Sequence, residues 1–317
     1  MNLPDILSKG EDYIYEEVPK TTTGRMAHIA VMRKTDSYNI FTTEGSELNM
    51  AETEKTTENS EKVQRVVMFK RKQVASERRT GKAELRGLYE NHEDEIDRSE
   101  AFGDFGGDEL CRLHDNLGGE CIDCKLYGFA NAQGDGNDGV SRSSRVLTDS
   151  AFSIRDIERR EDITFNAQSE EAEADSSTAL NSRAHTKPET YFPSIITLKD
   201  FTYRELYWLV YMIENTTRYG AETSRTGYVD NKVVSVWFDT SETMSNLELT
   251  QRVTAELEDE EDPNSGDVEE AVGGSVPEPE VDVNALRDTV EEVTGSDEDK
   301  IEFLKNLHRS QAGDLSE

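Results

Sequence analysis

Three cysteines and a histidine between residues 111 and 124 have the residue types and spacing of a metal site. Cys111, His114, Cys121 and Cys124 form the pattern C-x2-H-x6-C-x2-C, with a Gly-Gly turn between the two pairs. Zinc favours four thiolate or imidazole ligands in a tetrahedron, and a C-x2-C turn presents two thiolates to one ion. So short a segment closes with little loss of chain entropy. The pattern predicts a Zn2+ site that four protein ligands saturate, which makes it structural.

Two other interpretations of the cysteines have to be weighed against zinc. The C-x2-C pair could be two surface thiols that happen to be neighbours, beside an unrelated cysteine and histidine. A redox C-x2-C site normally opens a helix in a βαβ context, and no such pattern surrounds Cys121 and Cys124. The chain has 3 cysteines, so two disulfides cannot form. Ligand number and spacing therefore favour a metal.

Positive charge is concentrated in residues 62–86, the most basic stretch of a chain whose net charge is −32. Residues 62–75 have a strand pattern, and residues 76–86 continue from it. Charge along a strand edge can serve simply to prevent edge pairing. In so acidic a chain a track for phosphate groups is the favoured interpretation, with Gly81 allowing the backbone to approach closely. The candidate phosphate contacts are Lys70, Arg71, Arg78, Arg79 and Lys82.

Two later segments combine arginine with glycine and small hydroxyl residues. Residues 218–231 read RYGAETSRTGYVDN, and residues 140–154 form a predicted strand after the glycine-rich loop 131–139. Each could be an ordinary connector. Arginine beside Gly, Ser and Thr is also the chemistry that holds a phosphate backbone through side chains and main-chain N–H groups. The candidates are Arg218, Tyr219, Arg225 and Thr226 in the first segment, and Arg142 and Arg145 in the second.

The composition indicates an acidic protein of a high-salt cytoplasm. The 317 residues carry 67 acidic and 35 basic side chains, arginine outnumbers lysine, and 34% of residues are hydrophobic. Diffuse carboxylates keep a surface hydrated where salt screens their mutual repulsion. The alternative is an acidic, partly disordered protein of ordinary salt. No apolar stretch approaches the roughly 20 residues that span a bilayer, there is no signal-peptide pattern at the start, and the few cysteines favour a cytoplasmic location.

Alternating apolar residues predict strands that position these groups. Residues 25–34 are apolar with basic ends and are predicted to form a strand buried on at least one face, with Arg25 at the start as a further candidate phosphate contact. Residues 37–43 are predicted to pair with them as a hairpin, and residues 191–198 and 232–239 read as further strands. His28, in an apolar strand, is expected to be a hydrogen-bonded core residue.

Two helices are predicted from their caps, and the remaining segments are polar. Thr202 and Glu205 form a capping box before apolar residues at helical spacing, and a second capped helix covers 245–258. Residues 169–188 are expected to be a flexible, solvent-exposed tip. The acidic run from residue 256 is expected to be a disordered linker, followed by a small helical pair at 283–293 and 299–307.

Together these elements predict an α+β sheet that binds a polyanion. The segments ECIDCKLYG, SRVLTDSAFSI, FPSIITLKDFTYREL and RYGAETSRTGYVDN occur in this order. They resemble the large backbone subunit of type I-D CRISPR effector complexes, a Cas-seven type member of the superfamily of repeat-associated RNA-binding (RAMP) proteins. The resemblance covers roughly residues 11–255, and haloarchaeal members fit the acidic composition. The acidic tail is outside the family pattern.

The resemblance implies a modified ferredoxin-like (RRM-type) core in residues 1–255. A zinc-binding insertion at 103–128 and a β-hairpin thumb at about 155–192 would project from it, before an acidic, partly disordered extension at 256–317. Such subunits are non-catalytic and polymerise as copies along the crRNA, beside other subunits of the complex, and present the guide for pairing with target DNA. The four metal ligands match the family's zinc module, residues 218–227 match its RNA-facing loop, and Arg142 and Arg145 precede the matching strand.

Two alternative functions remain. Some relatives place an acid near the RNA and cut the paired strand, and Asp149 could serve such a metal-dependent nuclease. No paired acids at metal spacing stand out from the general acidity. The second alternative is a salt-adapted, zinc-containing scaffold that binds no nucleic acid.

Overall fold

The centre of the protein is a four-stranded antiparallel sheet. The computed structural model describes residues 3–42, 47–93, 96, 111–112, 119–130, 141–156, 160–165, 181–220, 225–260 and 262–311. The strand order is β11-β1-β10-β6. The bounds are Met26–Thr35 for β1, Val146–Thr148 for β6, Tyr191–Lys199 for β10 and Val229–Asp239 for β11.

The central strand β1 is buried on both faces, where the sequence predicted burial of at least one. Ala27, Ile29 and Val31 enter one apolar cluster, and Ala30 and Met32 enter another on the opposite face. Successive side chains of a strand point to opposite faces, so both faces of the sheet must be covered.

The first face is covered by two helices, α1 at Lys70–Asn91 and α3 at Tyr203–Asn215. The predicted capping box of α3 is present, because Thr202 accepts from the Glu205 N–H and Glu205 accepts from the Thr202 N–H. Gly81 lies where α1 meets α3, and a Cβ there would come within 2.5 Å of the Met212 sulfur. The glycine therefore serves helix packing.

The second face is covered by α4 at Asn246–Glu256 and α5 at Ser265–Ser275. Ser245 caps α4 by accepting from the Glu248 N–H, as predicted. Val253 of α4 and Val268 of α5 join the apolar cluster around Met32.

In the acidic C-terminal region the predicted helical pair at 283–293 and 299–307 is confirmed, and a further helix, α5, forms where a disordered linker was expected. Besides α5 it forms α6 at Val283–Thr294 and α7 at Asp297–Ser310. Seven of its buried side chains join the same core as α3: Val281, Leu286, Val290, Ile301, Phe303, Leu304 and Leu307. The acids lie on exposed helix faces, so net charge alone conceals an amphipathic pattern.

The prediction of one strand over 62–75 is wrong beyond Met68. Strand β3 ends there and α1 begins at Lys70. The buried side chains of α1 recur at helical spacing but several are polar, including Gln73, Glu77 and Lys82. A search for apolar periodicity misses such a helix, because the residues it buries are held by hydrogen bonds and ion pairs.

Strand β3, Lys62–Met68, belongs to a second sheet of order β2-β3-β7. Its neighbours are Met50–Glu54 (β2) and Ala151–Asp156 (β7). The predicted single strand over 140–154 is divided: its described residues, 141–154, contribute to three sheets. Ser141–Arg142 (β5) pairs with Phe129–Ala130 (β4), β6 joins the central sheet and β7 joins the second sheet.

The expected hairpin of 25–34 with 37–43 does not form. Both edges of β1 are occupied by β10 and β11, and Asn39 makes a single bridge to Thr186. Thr186 ends a two-stranded hairpin of β8, Arg160–Phe165, and β9, Asn181–Thr186. His185, expected in an exposed tip, is 2% exposed at the base of that hairpin.

The fold is thus the predicted α+β class with antiparallel sheets. The finer description, a ferredoxin-like core with a zinc-binding insertion and a thumb, stays a prediction, as does the boundary between residues 255 and 256. None of the described helices is long and apolar enough to cross a bilayer.

Candidate metal centre and nucleic-acid interface

The three cysteines converge at one buried point. Cys121 is the N-cap of the short helix α2, Ile122–Tyr127, and accepts from the N–H of Cys124. The Sγ atoms of Cys111, Cys121 and Cys124 all lie within 4.8 Å of one another. The Sγ atoms of Cys111 and Cys124 are 3.6 Å apart, against about 3.8 Å for the edge of a tetrahedron around zinc with bonds of roughly 2.3 Å. The fourth predicted ligand, His114, lies outside the described residues.

A buried lysine compensates the charge of this cluster. Lys82 of α1 is 4% exposed and donates from Nζ to Cys111 Sγ at 3.2 Å. Its Nζ also lies 3.8 Å from Cys121 Sγ and 3.1 Å from a carboxylate oxygen of Asp123. Burial alone would lower the pKa of Lys82, but the attraction of Asp123 and the thiol groups raises it overall. Three thiolates bound to one divalent ion carry a net negative charge, which the positive charge of Lys82 would balance.

Further cations of α1 hold the cysteine segment in place. Arg78 donates to both oxygens of Asp123, at 3.0 and 2.7 Å. Arg86 donates to the carbonyl of Cys111 at 2.9 Å. From outside α1, Arg142 of β5 donates to the carbonyl of Gly119 at 3.1 Å. Three residues expected at phosphates, Arg78, Lys82 and Arg142, are thus engaged inside the protein.

Burial and mutual hydrogen bonding favour the protonated form of the Cys121 and Cys124 thiols. Hydrogen bonding with Cys111, together with burial, raises the pKa of Cys124 to about 11. The pKa of Cys121 is raised well above its ordinary value by hydrogen bonds with its two neighbours and by burial. A bound metal replaces the thiol protons, so binding is coupled to proton release. The donor set fits zinc, and the three cysteines of the described chain would hold it.

The described residues 216–220 and 225–227, which include two glycines, form a second candidate surface, which we call the loop surface. Arg218 and Arg225 are exposed there. Arg218 donates to the carbonyl of Thr226. Gly220 has φ +109°, and at Gly227 a Cβ would come within 2.6 Å of the Tyr38 carbonyl oxygen. Both glycines are therefore required by the loop's own conformation.

The loop surface is attached on two sides. Thr226 is 2% exposed; its hydroxyl donates to Asn39 Oδ1 at 2.9 Å and accepts from the Ile40 N–H at 3.3 Å. On the other side Arg79 of α1, itself exposed, donates to the carbonyl of Gly220 at 3.4 Å. The loop is thereby joined to the base of the β8–β9 hairpin through Asn39 and to the middle of α1.

A network of buried side chains anchors the loop surface to the core. Tyr219 is fully buried, and its hydroxyl lies 3.5 Å from Glu77 of α1. Arg33 of β1 donates to the same carboxylate at 2.8 Å, and its guanidinium lies 5.7 Å from the centre of the Tyr219 ring. Burial raises the pKa of the Tyr219 hydroxyl. Tyr219, expected as an RNA contact, anchors the loop, and Glu77 and Arg33 were not apparent from local sequence.

The first turn of α1 carries Lys70 and Arg71, both exposed, and no acidic residue. Cations are unfavourable beside the positive end of a helix dipole. Helix stability therefore does not account for them, whereas attraction of an anion does.

Arg25 and Arg145 lie at the other end of the central sheet. Arg145 is 6% exposed and donates to both carboxylate oxygens of Glu205 and to the carbonyl of Asp200 at 3.1 Å. The guanidinium of Arg25 lies 4.6 Å from the centre of the Tyr15 ring. The predicted contacts therefore separate into a loop group, a metal-module group and a group at the start of β1.

The described residues contain no second group of metal donors. Among them, the cysteines are the one set of three or more His, Cys, Asp or Glu donors close enough to share an ion. Asp149, considered for a nuclease, is exposed and accepts through its backbone carbonyl from Gln73 and Asn246.

Comparison with known families decides the relationship. A family model described as Csc2 Crispr matches residues 13–291, most of the chain. The chain belongs to the Csc2 CRISPR family. No curated protein sequence matches it.

A solved structure from this family shares the fold of the chain. The crystal structure of Thermofilum pendens Csc2 aligns over 97% of both chains with a TM-score of 0.58 and 17% identity. A chain of a structure described as a CRISPR RNA-guided surveillance complex, pre-nicking, aligns over 71% of this chain and 80% of that one. Its TM-score of 0.47 and identity of 10% are too low to support a structural argument.

Proposed function

We propose that this Csc2 family protein is a non-catalytic subunit that binds guide RNA by its phosphate backbone. Copies line up along the crRNA, contact other subunits of a type I-D effector complex, and leave the guide bases free to pair with target DNA. In such complexes base pairing reads the sequence, so the protein needs backbone contacts and shape. The setting is the cytoplasm of a salt-adapted cell.

The convergence of Arg79, Arg218 and Arg225 around one glycine-dependent loop carries this proposal. Two elements distant in sequence bring exposed arginines together in a chain of net charge −32. The loop is fixed by Thr226 and Tyr219, so the arginines are positioned before any ligand arrives. A positioned guanidinium binds phosphate through two N–H groups and loses less side-chain entropy than a free one.

The neighbouring groups suit a single strand. Tyr228 follows the loop and is 42% exposed, which offers an aromatic face for a base. Stacking on an aromatic side chain is tolerant of base identity. Lys70 and Arg71, at the start of α1, add positive charge on the helix that carries Arg79. The β8–β9 hairpin rises from Asn39 beside the loop and is our candidate for the thumb.

The cysteine module completes the proposal as a structural Zn2+ site. Lys82, Arg78 and Arg86 attach it to the same helix that carries Arg79. When bound, the ion would crosslink Cys111 to the α2 turn, with His114 proposed as fourth ligand. Its role is to hold α1 and the module together, because a saturated ion has no open position for chemistry.

The decisive experiment is recovery of bound RNA from the assembled complex. Arg218→Ala combined with Arg225→Ala should reduce copurifying RNA at least tenfold at high salt, because hydrogen-bonded contacts dominate there. Arg252→Ala combined with Arg309→Ala removes the same charge from exposed positions on α4 and α7 and should leave RNA unchanged. Sequencing of the wild-type RNA should give repeat-derived guides; random cellular RNA would overturn the assignment.

The absence of catalysis is tested separately. Wild-type complex is incubated with labelled target RNA or single-stranded DNA and Mg2+, beside Asp149→Ala. We expect intact substrate in both; cleavage by the wild type that Asp149→Ala abolishes would establish the nuclease instead.

A further inference from the structure

A large polar cavity opens at the end of the central sheet where β1 begins and β10 ends. Its volume is about 580 Å³, within the range of cavities that hold small ligands. The Thr residues of 21–22 and the Ser residues of 141–144 contribute hydroxyl groups to its wall. The charged residues of the wall are Lys20, Lys125, Arg142, Arg145, Lys199 and Asp200.

The one acid of the wall is already fully engaged. The Asp200 carboxylate accepts from the hydroxyls of Thr22 and Thr23, both at 2.7 Å, and from the N–H groups of Thr23, Gly24 and Arg25. These bonds fold residues 22–25 onto the end of β10. The carboxylate therefore builds the wall and has little capacity left to pair with the cations around it.

The described ion pairs of the wall involve three of its five cations, Lys125, Arg142 and Arg145. Arg145 is paired with buried Glu205. Glu120, 53% exposed, lies 3.2 Å from Lys125 and 4.0 Å from Arg142, so it serves two cations at once. Within the described chain, Lys20 and Lys199 have no ion pair. A surplus of positive charge in a chain this acidic marks an anion site.

The chemistry of the wall selects the class of anion. Every residue that lines it is polar or charged. A protein partner would usually find an apolar centre, and a free base would need an aromatic or apolar face. The wall offers ammonium, guanidinium and hydroxyl donors but no apolar or aromatic face. These donors match the phosphodiester and ribose groups of a nucleic-acid strand.

The cavity is separate from the loop surface. Met26, at one end of β1, pairs with Lys199, whereas Thr35 at the other end pairs with Val229 just after the loop. Nine steps along a strand span about 30 Å. We propose that this cavity is a second backbone-binding site, which holds a phosphate of a nucleic-acid strand at the opposite end of the sheet from the guide-binding loop. The inference rests on the proposed function, since it assumes a nucleic-acid-bound assembly.

The test is strand binding by the assembled complex that already carries its guide. The probes are labelled 20-nucleotide strands of poly(U) RNA and poly(dT) DNA, unable to pair with the guide, titrated by fluorescence anisotropy at several salt concentrations. Lys20→Ala combined with Lys199→Ala should weaken binding about tenfold. The slope of the logarithm of the binding constant against the logarithm of salt concentration should become shallower by roughly 1.4, the value for two phosphate contacts with a single strand. Lys232→Ala combined with Lys305→Ala is the charge-matched control and should bind like wild type.

The outcomes separate this inference from the proposed function. Weakening of both strands supports a phosphate site, and weakening of RNA alone supports one that also contacts the ribose 2′-hydroxyl. If the cavity variant keeps its guide and binds both probes like wild type, the cavity proposal is wrong and the loop proposal stands. If wild-type complex carries no guide RNA, both are wrong. Loss of self-association with unchanged probe binding would instead assign the cavity to an acidic segment of a neighbouring copy.

Discussion

At the scale of single residues, arginine side chains occur in two different environments in this protein. Arg145 is surrounded by Glu205 and main-chain carbonyls, whereas Arg218 and Arg225 are exposed on the loop. A guanidinium with five donors in a plane can satisfy several buried acceptors at once. An arginine-rich segment therefore predicts polyanion binding only through those of its arginines that are not buried.

The Arg145–Glu205 pair is expected to be essential for stability. Arg145→Met should lower the free energy of unfolding by about 3–5 kcal/mol, because it leaves a buried carboxylate without its partner. Arg252→Met breaks the exposed pair with Glu248 on α4 and should cost no more than about 0.5 kcal/mol. Urea unfolding measures both, and equal effects would contradict the assignment.

Asp200 is expected to make stability pH-dependent in acid. Burial opposes ionisation, but hydrogen bonds from Thr22, Thr23 and Arg25 lower the pKa of its carboxyl overall, below the ordinary 3.8. A lowered folded-state pKa contributes stability that is complete above the unfolded pKa and is lost as pH falls through the folded pKa.

Asp200→Asn should therefore be less stable than wild type by roughly 1–3 kcal/mol near neutral pH. The difference should shrink as pH falls below 3.8. Unfolding curves at several pH values test this, and a gap that stays constant down to pH values well below 3.8 would show that ionisation is not the cause.

At the scale of elements, α1 connects the parts of the candidate site. Glu77 contacts the loop anchor, Arg79 the loop backbone, and Lys82 the cysteines. These three residues lie within six consecutive positions, 77–82, and reach different partners because helical spacing distributes them around the axis. The metal module and the loop surface are therefore coupled through one rigid helix.

Two glycines offer a matched test of the loop's conformation. Gly227→Ala places a Cβ within 2.6 Å of a backbone oxygen and should cost about 1–3 kcal/mol and weaken RNA binding. Gly87 of α1 has nothing within 4 Å of the added Cβ, so Gly87→Ala should stabilise by about 0.5–1 kcal/mol. Thermal unfolding and RNA binding are measured for each; the loop model fails if Gly227→Ala is neutral in both.

Metal content provides the test of the cysteine module. Purified protein should contain one zinc per chain by elemental analysis, and Cys124→Ser should lose it with a lower melting temperature. Lys82→Met should keep the ligands but weaken zinc retention against a chelator by about 10–100-fold, as loss of an outer-shell partner does. Zinc content unchanged in Cys124→Ser would contradict the site.

At the scale of the whole molecule, the C-terminal helices are part of the core. Gln311 donates to Glu205 Oε1 at 2.7 Å, and Ser310 accepts from the Val18 N–H at 2.9 Å. The last described residues thus close over the capping box of α3, next to the buried Arg145. An acidic tail that served only solubility would have no such contacts.

The role of the C-terminal helices can be measured with one pair of variants. Leu304 of α7 is fully buried, and Leu304→Ala should cost about 2–5 kcal/mol. Glu302 on the exposed side of the same helix is the control, and Glu302→Gln should change stability by less than about 0.5 kcal/mol. A negligible effect of Leu304→Ala would show that the tail is an independent appendage.

Strong local signals were sufficient for much of the fold. The strand β1, the capping box at Thr202 and the α4 cap at Ser245 depend on neighbouring residues alone, and all are confirmed. The helical pair at 283–293 and 299–307 is also confirmed. Helices α1 and α5 were missed, because α1 buries polar residues and α5 lies in a segment dominated by acidic charge. Polar burial becomes evident only when the partner, often far along the chain, is known.

The sequence by itself determined the α+β class and the cysteine cluster, because strand patterns, helix caps and ligand spacing depend on residues that are close in the chain. Only the tertiary structure decided which cations face solvent and which face a buried carboxylate. It also decided that Lys20, Arg142 and Lys199 share one cavity. Burial and pairing are properties of long-range contacts, and a list of charges along the chain contains no information about which side of the core each one reaches.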